Sequence, residues 1–131
     1  MRWVIHSETE FEASHALKAY KGEAEALHRH LWKVAIEAGA KKLNNEGYAL
    51  DFHEVHRSLQ LATNDLKGAN LNHHPEIGSP TPSAERVAEV VAQRISPMIE
   101  SLGGALLKVS VWEGPDNRVD LRVSPEQPMI S

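Results

Sequence analysis

Leu27-His28-Arg29-His30-Leu31-Trp32-Lys33-Val34-Ala35-Ile36-Glu37-Ala38 opens on two histidines and continues as an alternating run. Side chains along a strand point alternately to opposite faces. His28, His30, Trp32, Val34, Ile36 and Ala38 therefore share one side, while Arg29, Leu31, Lys33 and Glu37 take the other. The stretch reads as a strand whose mostly apolar face ends in two imidazoles. Neutral imidazole is the commonest metal ligand, and two at adjacent same-face positions can grip one ion. Two ordinary surface or hydrogen-bonded histidines fit the same spacing. If a metal is held, His15, at the end of the preceding strand-like stretch, is the candidate third ligand.

Upstream, Trp3, Ile5, Phe11, Ala13 and His15 fall on one parity with Ser7 and Thr9 between them, which predicts a half-buried strand over Arg2 to His15. Residues 16–27 have no clear period and contain Gly22, so they read as a loop. The second strand is expected from His28 to Leu43, ending at the turn signal Asn44-Asn45-Glu46-Gly47. Asp51 followed by Glu54 resembles a capping box. Phe52, Val55, Leu59, Ala62 and Leu66 then recur at helical spacing, with Gly68 as the stop and His53 and His56 as solvated helix-surface groups. After a loop over 69–82, Thr81-Pro82 reads as the start of a second helix. Its inner side carries Val87, Ala88, Val91, Ile95, Ile99 and Leu102; Pro97 should kink it or loosen its last turn, and Gly103-Gly104 ends it. Leu107, Val109, Val111 and Glu113 alternate as a third strand. Gly114-Pro115-Asp116-Asn117 turns the chain into a fourth with Val119, Leu121 and Val123, and Ser124 to Ser131 reads as an irregular tail.

The order ββααββ predicts an α+β fold, with a four-stranded antiparallel sheet and both helices on one face. At 131 residues the chain reads as a single domain over 1–131. Without cysteine, disulfides, a thiolate zinc site and a thiol nucleophile are excluded, so any metal falls to His, Asp or Glu. A net charge of -4 with scattered Lys and Arg gives no footprint for nucleic acid or an anionic membrane. Charge enters the first residues too early for a signal peptide, and no apolar run approaches the about 20 residues of a membrane span. A cytoplasmic protein is the expectation.

Five segments taken together carry a resemblance: Phe11-Glu12-Ala13-Ser14-His15, His28-Arg29-His30, Gly47-Tyr48-Ala49-Leu50-Asp51-Phe52, Pro82-Ser83-Ala84-Glu85-Arg86-Val87-Ala88 and Val109-Ser110-Val111-Trp112-Glu113. In their order and spacing, over roughly 3–123, the chain resembles the 6-pyruvoyltetrahydropterin synthase and 6-carboxytetrahydropterin synthase family. The resemblance implies a tunnelling fold, in which sheets from several copies join into a barrel with helices outside, as a homo-oligomer, a hexamer of stacked trimers. It implies Zn2+ held by His15, His28 and His30, since three protein ligands and one open position is a catalytic zinc layout. It also implies a small-molecule pterin, anchored by Glu113. On its own Glu113 reads as a strand-end surface group, but a carboxylate suits the donor edge of a pterin because it only accepts and can take two parallel bonds. Cupins also place HxH on a strand, with a glutamate shortly after; here Glu37 has the wrong parity.

The resemblance breaks at the catalytic positions. Ala24 stands where members acting on dihydroneopterin triphosphate carry a cysteine, Lys67 and Gly68 stand where Asp and His belong, and Arg29 replaces the glycine between the paired histidines. Substitutes are near. Glu25 gives the Glu-x-x-His-x-His spacing of a branch that cleaves the dihydroneopterin side chain, and beside a metal site it reads as a general base or as a solvated loop glutamate. His73 and His74 follow the altered segment and could supply an imidazole or be plain loop residues. Three functions follow: a zinc-dependent lyase cleaving a dihydropterin side chain with Glu25 as base, a triphosphate-eliminating synthase with Lys18, Lys21, Arg29 or Lys67 meeting phosphate, or a zinc- and pterin-binding homologue without turnover.

Overall fold

Strand β1 (Trp3–His15) and strand β2 (His28–Ala40) form a long antiparallel pair, because both sequences alternate over thirteen residues and each offers one apolar face. A computed structural model describes residues 2–18, 22 and 25–123. Lys21, Ala24 and the tail Ser124 to Ser131 lie outside the described residues. Helices α1 (Phe52–Thr63) and α2 (Ala84–Ser101) follow, and then strands β3 (Ala105–Glu113) and β4 (Arg118–Arg122). The sheet order is β1-β2-β3-β4, antiparallel throughout. Both helices cover the face that carries Phe11, Ala13, Trp32, Val34, Ile36, Val109 and Val111, which join Val55, Leu59, Val87, Val91, Ile95 and Ile99 in one buried cluster. The expected ββααββ arrangement is therefore the observed one. Among the described residues, no helix is long and apolar enough to cross a membrane.

Trp32 is the largest side chain at full burial. Its indole N–H donates to the Ala13 carbonyl at 3.2 Å, so the ring is buried at no cost in unmet hydrogen bonding. Trp32 also packs edge-on to His15, with ring centroids 4.9 Å apart, and so forms the floor beneath the histidines.

Several boundaries differ from expectation. Strand β2 stops at Ala40 rather than Leu43 because its partners end there: Ala40 pairs with Trp3, and Gly39 with Ala105, the first residue of β3. Asp51 caps α1 as expected, accepting from the amides of His53 and Glu54. Phe52, expected on the buried stripe, is 70 % exposed. It is the first helical residue, a turn ahead of Val55, and projects beyond the packed layer. The regular helix ends at Thr63, and the tighter turn Asn64–Leu66 brings Leu66 into the core. The cap of α2 is Ser83, whose Oγ accepts from the Arg86 amide, rather than Thr81. Pro82 thus remains outside the helix, and its carbonyl is available elsewhere. Pro97 stands inside α2, which runs on to Ser101, shortly before the expected end at Gly103-Gly104. Gly103, in the left-handed region at φ 96°, reverses the chain so that the Gly104 amide donates to the Ile99 carbonyl.

Candidate metal centre

Strand pairing decides which side chains can meet. His15 lies directly opposite His28, Ala13 opposite His30, and Trp32 opposite Glu113 on the next strand. Parity places His15, His28, His30 and Glu113 at one end of the helix-covered face. Their ligand atoms all lie within 4.8 Å of one another. The rings meet edge to face, with centroids 4.6 Å apart for His15 and His28, 4.3 Å for His28 and His30, and 5.6 Å for His15 and His30. His15 is fully buried, while the side chains of His28, His30 and Glu113 are about a third exposed, 31 %, 33 % and 29 %. The group therefore has one walled side and one side open to a ligand.

Backbone carbonyls set the tautomers. His15 Nδ1 donates to the Pro82 carbonyl at 2.7 Å, and His28 Nδ1 donates to the Ala26 carbonyl at 2.9 Å. A carbonyl only accepts, so each Nδ1 carries a proton and each Nε2 turns toward the centre. Such outer bonds orient metal-binding histidines. All three Nε2 atoms face Glu113 Oε1, at 2.6 Å from His15, 3.3 Å from His30 and 3.8 Å from His28. Three imidazole nitrogens of this orientation, with a carboxylate and no thiolate, suit zinc or a similar divalent ion.

The electrostatics divide the group, His15 being drawn toward the charged ring and His30 toward the neutral one. Burial presses His15 toward neutrality, yet the Glu113 hydrogen bond and the Pro82 carbonyl outweigh it and raise the His15 pKa. The His15 hydrogen bond is in turn what lowers the Glu113 carboxyl, against its partial burial. Burial, then the neighbouring His28, lowers His30, which favours the neutral ring that binds metal.

Glu25 lies at the rim, its Oε1 3.8 Å from His28 Nδ1 and accepting from the Leu17 amide at 2.9 Å. His73 is exposed in the short turn Leu71–His73. His74 is held elsewhere: its Nδ1 accepts from the Glu76 amide at 3.1 Å and its Nε2 donates to Asp65 Oδ2 at 2.8 Å. Neither belongs to the group around Glu113. Arg29 is exposed, and by parity it leaves the face that His28 and His30 share; Lys18 and Lys67 are exposed as well. The helix histidines divide, His53 exposed as expected and His56 Nδ1 paired with Ser7 Oγ at 2.9 Å. Sequence reasoning missed Pro82 and Asn72. The first acts through a backbone carbonyl, which leaves no mark in the sequence, and the second binds Ala16, 56 positions away.

Among similar solved structures is the 6-pyruvoyl tetrahydropterin synthase of Caenorhabditis elegans, 16% identical with a TM-score of 0.77, covering 95% of this chain and 97% of that one. The Plasmodium falciparum synthase is 17% identical with a TM-score of 0.72, over 92% and 96% of the two chains. A Plasmodium vivax synthase in which a catalytic glutamate is replaced by alanine is 15% identical with a TM-score of 0.74, over 95% and 99%. At these identities the likeness is one of fold, and it matches the tunnelling fold. The model of the 6-pyruvoyl tetrahydropterin synthase family matches residues 4–124, nearly the whole chain, and this protein therefore belongs to that family.

Proposed function

We propose that this chain is a zinc-dependent lyase that acts on dihydroneopterin or its triphosphate. Family and fold support a pterin-related synthase function. The observation that carries the finer reading is the convergence of His15, His28, His30 and Glu113 at the open end of the sheet. His15, His28 and His30 would hold the ion. Bound there, zinc supplies Lewis-acid polarisation of the pterin side-chain oxygens. Glu113 uses one oxygen, Oε1, toward the imidazoles, and its second oxygen is available to the amino and ring N–H groups of a pterin. Glu25, at the rim and tied to Leu17, moves the side-chain proton, and a glutamate described as catalytic in the Plasmodium vivax relative supports that assignment. His73 and His74 are the runner-up proton carriers.

The proposal extends, from the family resemblance, to a cytoplasmic hexamer of stacked trimers, each barrel closed by joining the edge strands β1 and β4 of neighbouring copies. Sedimentation as a monomer at micromolar concentration would contradict that assembly. A second reading, zinc and pterin binding without turnover, is favoured by Lys67 and Gly68 at the usual relay positions, both exposed and one without a side chain. Incubating the zinc-loaded protein with dihydroneopterin and with its triphosphate, and identifying the products, separates the readings. Side-chain cleavage supports Glu25 as base, triphosphate release supports the synthase form, and pterin binding without product supports the second reading.

A further inference from the structure

Asn72 sits partly buried in the turn Leu71–His73, with both ends of its side-chain amide engaged by one residue. Its Oδ1 accepts from the Ala16 amide at 2.8 Å, and its Nδ2 donates to the Ala16 carbonyl at 2.8 Å. A side-chain amide that meets one residue's N–H and C=O together mimics the exchange between paired antiparallel strands. It extends the order of β1 one residue past His15. Leu17 then makes the same double engagement with Glu25: its amide donates to Glu25 Oε1 at 2.9 Å, and its carbonyl accepts from the Glu25 amide at 3.1 Å. Lys18 adds a further tie, its amide donating to Thr81 Oγ1 at 3.1 Å.

Asn72 is itself held on two sides. Its amide donates to Asn70 Oδ1 at 3.0 Å, and its carbonyl lies so close to Gly78 that a Cβ there would collide with it. His74 stands behind this arrangement, since its carbonyl accepts from the Gly78 amide at 2.9 Å. A continuous chain of bonds thus runs from the loop after α1, through Asn72, Ala16 and Leu17, to the carboxylate 3.8 Å from His28.

From this geometry we infer that Asn72 is a positioning residue that aims Glu25 through the backbone of Ala16 and Leu17. The inference rests on the reading of Glu25 as the proton-moving group. The loop that lacks the family's relay side chains would then still govern proton transfer, by placing the group that performs it.

The test is a double-mutant cycle on the zinc-loaded protein with dihydroneopterin, joined to amide hydrogen exchange. Asn72→Ala is expected to lower kcat by about ten- to a hundredfold, the range for a misplaced catalytic group, with KM and zinc content close to wild type. Asn72→Asp, which keeps the acceptor for the Ala16 amide, should fall between. In a Glu25→Gln background, Asn72→Ala should lower kcat no further. Exchange at the Ala16 and Leu17 amides should quicken in Asn72→Ala while that of Phe11 and Val34 does not. Losses that multiply across the cycle overturn the inference, because Asn72 then acts independently of Glu25. Unchanged exchange at Leu17 overturns it as well, even if the protein has no turnover. Wild-type turnover in Glu25→Gln instead sinks the assignment of Glu25, and with it the catalytic part of this inference, while exchange still reports whether Asn72 holds the segment.

Discussion

His15 and His74 are both largely buried histidines with a carboxylate on Nε2 and backbone on Nδ1, and their Nδ1 atoms play opposite parts. At His15 the backbone partner is a carbonyl, that of Pro82, so Nδ1 carries the proton and Nε2 is the atom offered to the neighbouring imidazoles and Glu113. At His74 the backbone partners are amides, those of Glu76 and Ile77, so Nδ1 is the acceptor and Nε2 donates its proton to Asp65. Asp65 is in turn gripped by Arg94 at 2.7 and 3.1 Å, and Arg94 also reaches Glu76 at 2.6 Å. One region turns its Nε2 atoms to a common carboxylate, and the other ties a loop to the end of α1 and to α2. What a histidine does here follows from whether its second nitrogen meets a donor or an acceptor.

The sharpest way to break this comparison is to remove ligands from the first region. A His28→Ala, His30→Ala variant that stays folded should fall from one zinc per chain to none detectable by metal analysis, whereas His74→Ala should keep its zinc. Full zinc in the double variant would put the metal elsewhere. Next in size is Glu25→Gln, expected to lower turnover by about a hundredfold or more, the range for a lost general base, with pterin affinity nearly intact. If that variant works normally and His73→Ala, His74→Ala abolishes activity, the base belongs to the second region after all.

Glu113→Ala should weaken pterin binding measured by titration calorimetry, by about 1.5 to 3 kcal/mol for each charge-assisted bond lost. His74→Ala leaves the Glu76 and Ile77 amides without their acceptor, so it should cost roughly 1 to 3 kcal/mol in chemical denaturation. The smallest effect is a pH dependence. The Arg94 hydrogen bonds, opposed by some burial and aided by His74, lower Asp65 from its usual value to about 2. A depressed carboxyl stabilises the fold fully above the unfolded value of about 4 and loses that contribution as pH falls through the folded one. Stability contributed by Asp65 should therefore fade between about pH 4 and pH 2, and Asp65→Asn should flatten that part of the curve. Because half of the Asp65 side chain is exposed, solvent screening keeps the effect small.

Much of this was legible in the chain itself. Alternation along 27–38 assigned His28, His30 and Trp32 to the face that proved buried at its centre, because a strand's period of two leaves no freedom in which side chains share a face. Asp51 was legible as a cap because the bond it makes reaches only two and three residues ahead. Phe52 was misassigned because periodicity gives direction around a helix axis but not how far along that axis a partner extends.

Tertiary structure decided the rest, wherever partners are distant in the chain. The register that sets His15 against His28 follows from how the two strands slide into pairing across a loop, which no local pattern encodes. Glu113 reaches His15 from 98 positions away, and the Pro82 carbonyl reaches it from 67. Residue types and their parity determined which groups were able to form a site. The packing of β1, β2, β3 and the loop before α2 determined which nitrogen of each histidine faces it, since a tautomer depends on the donor or acceptor that folding brings alongside.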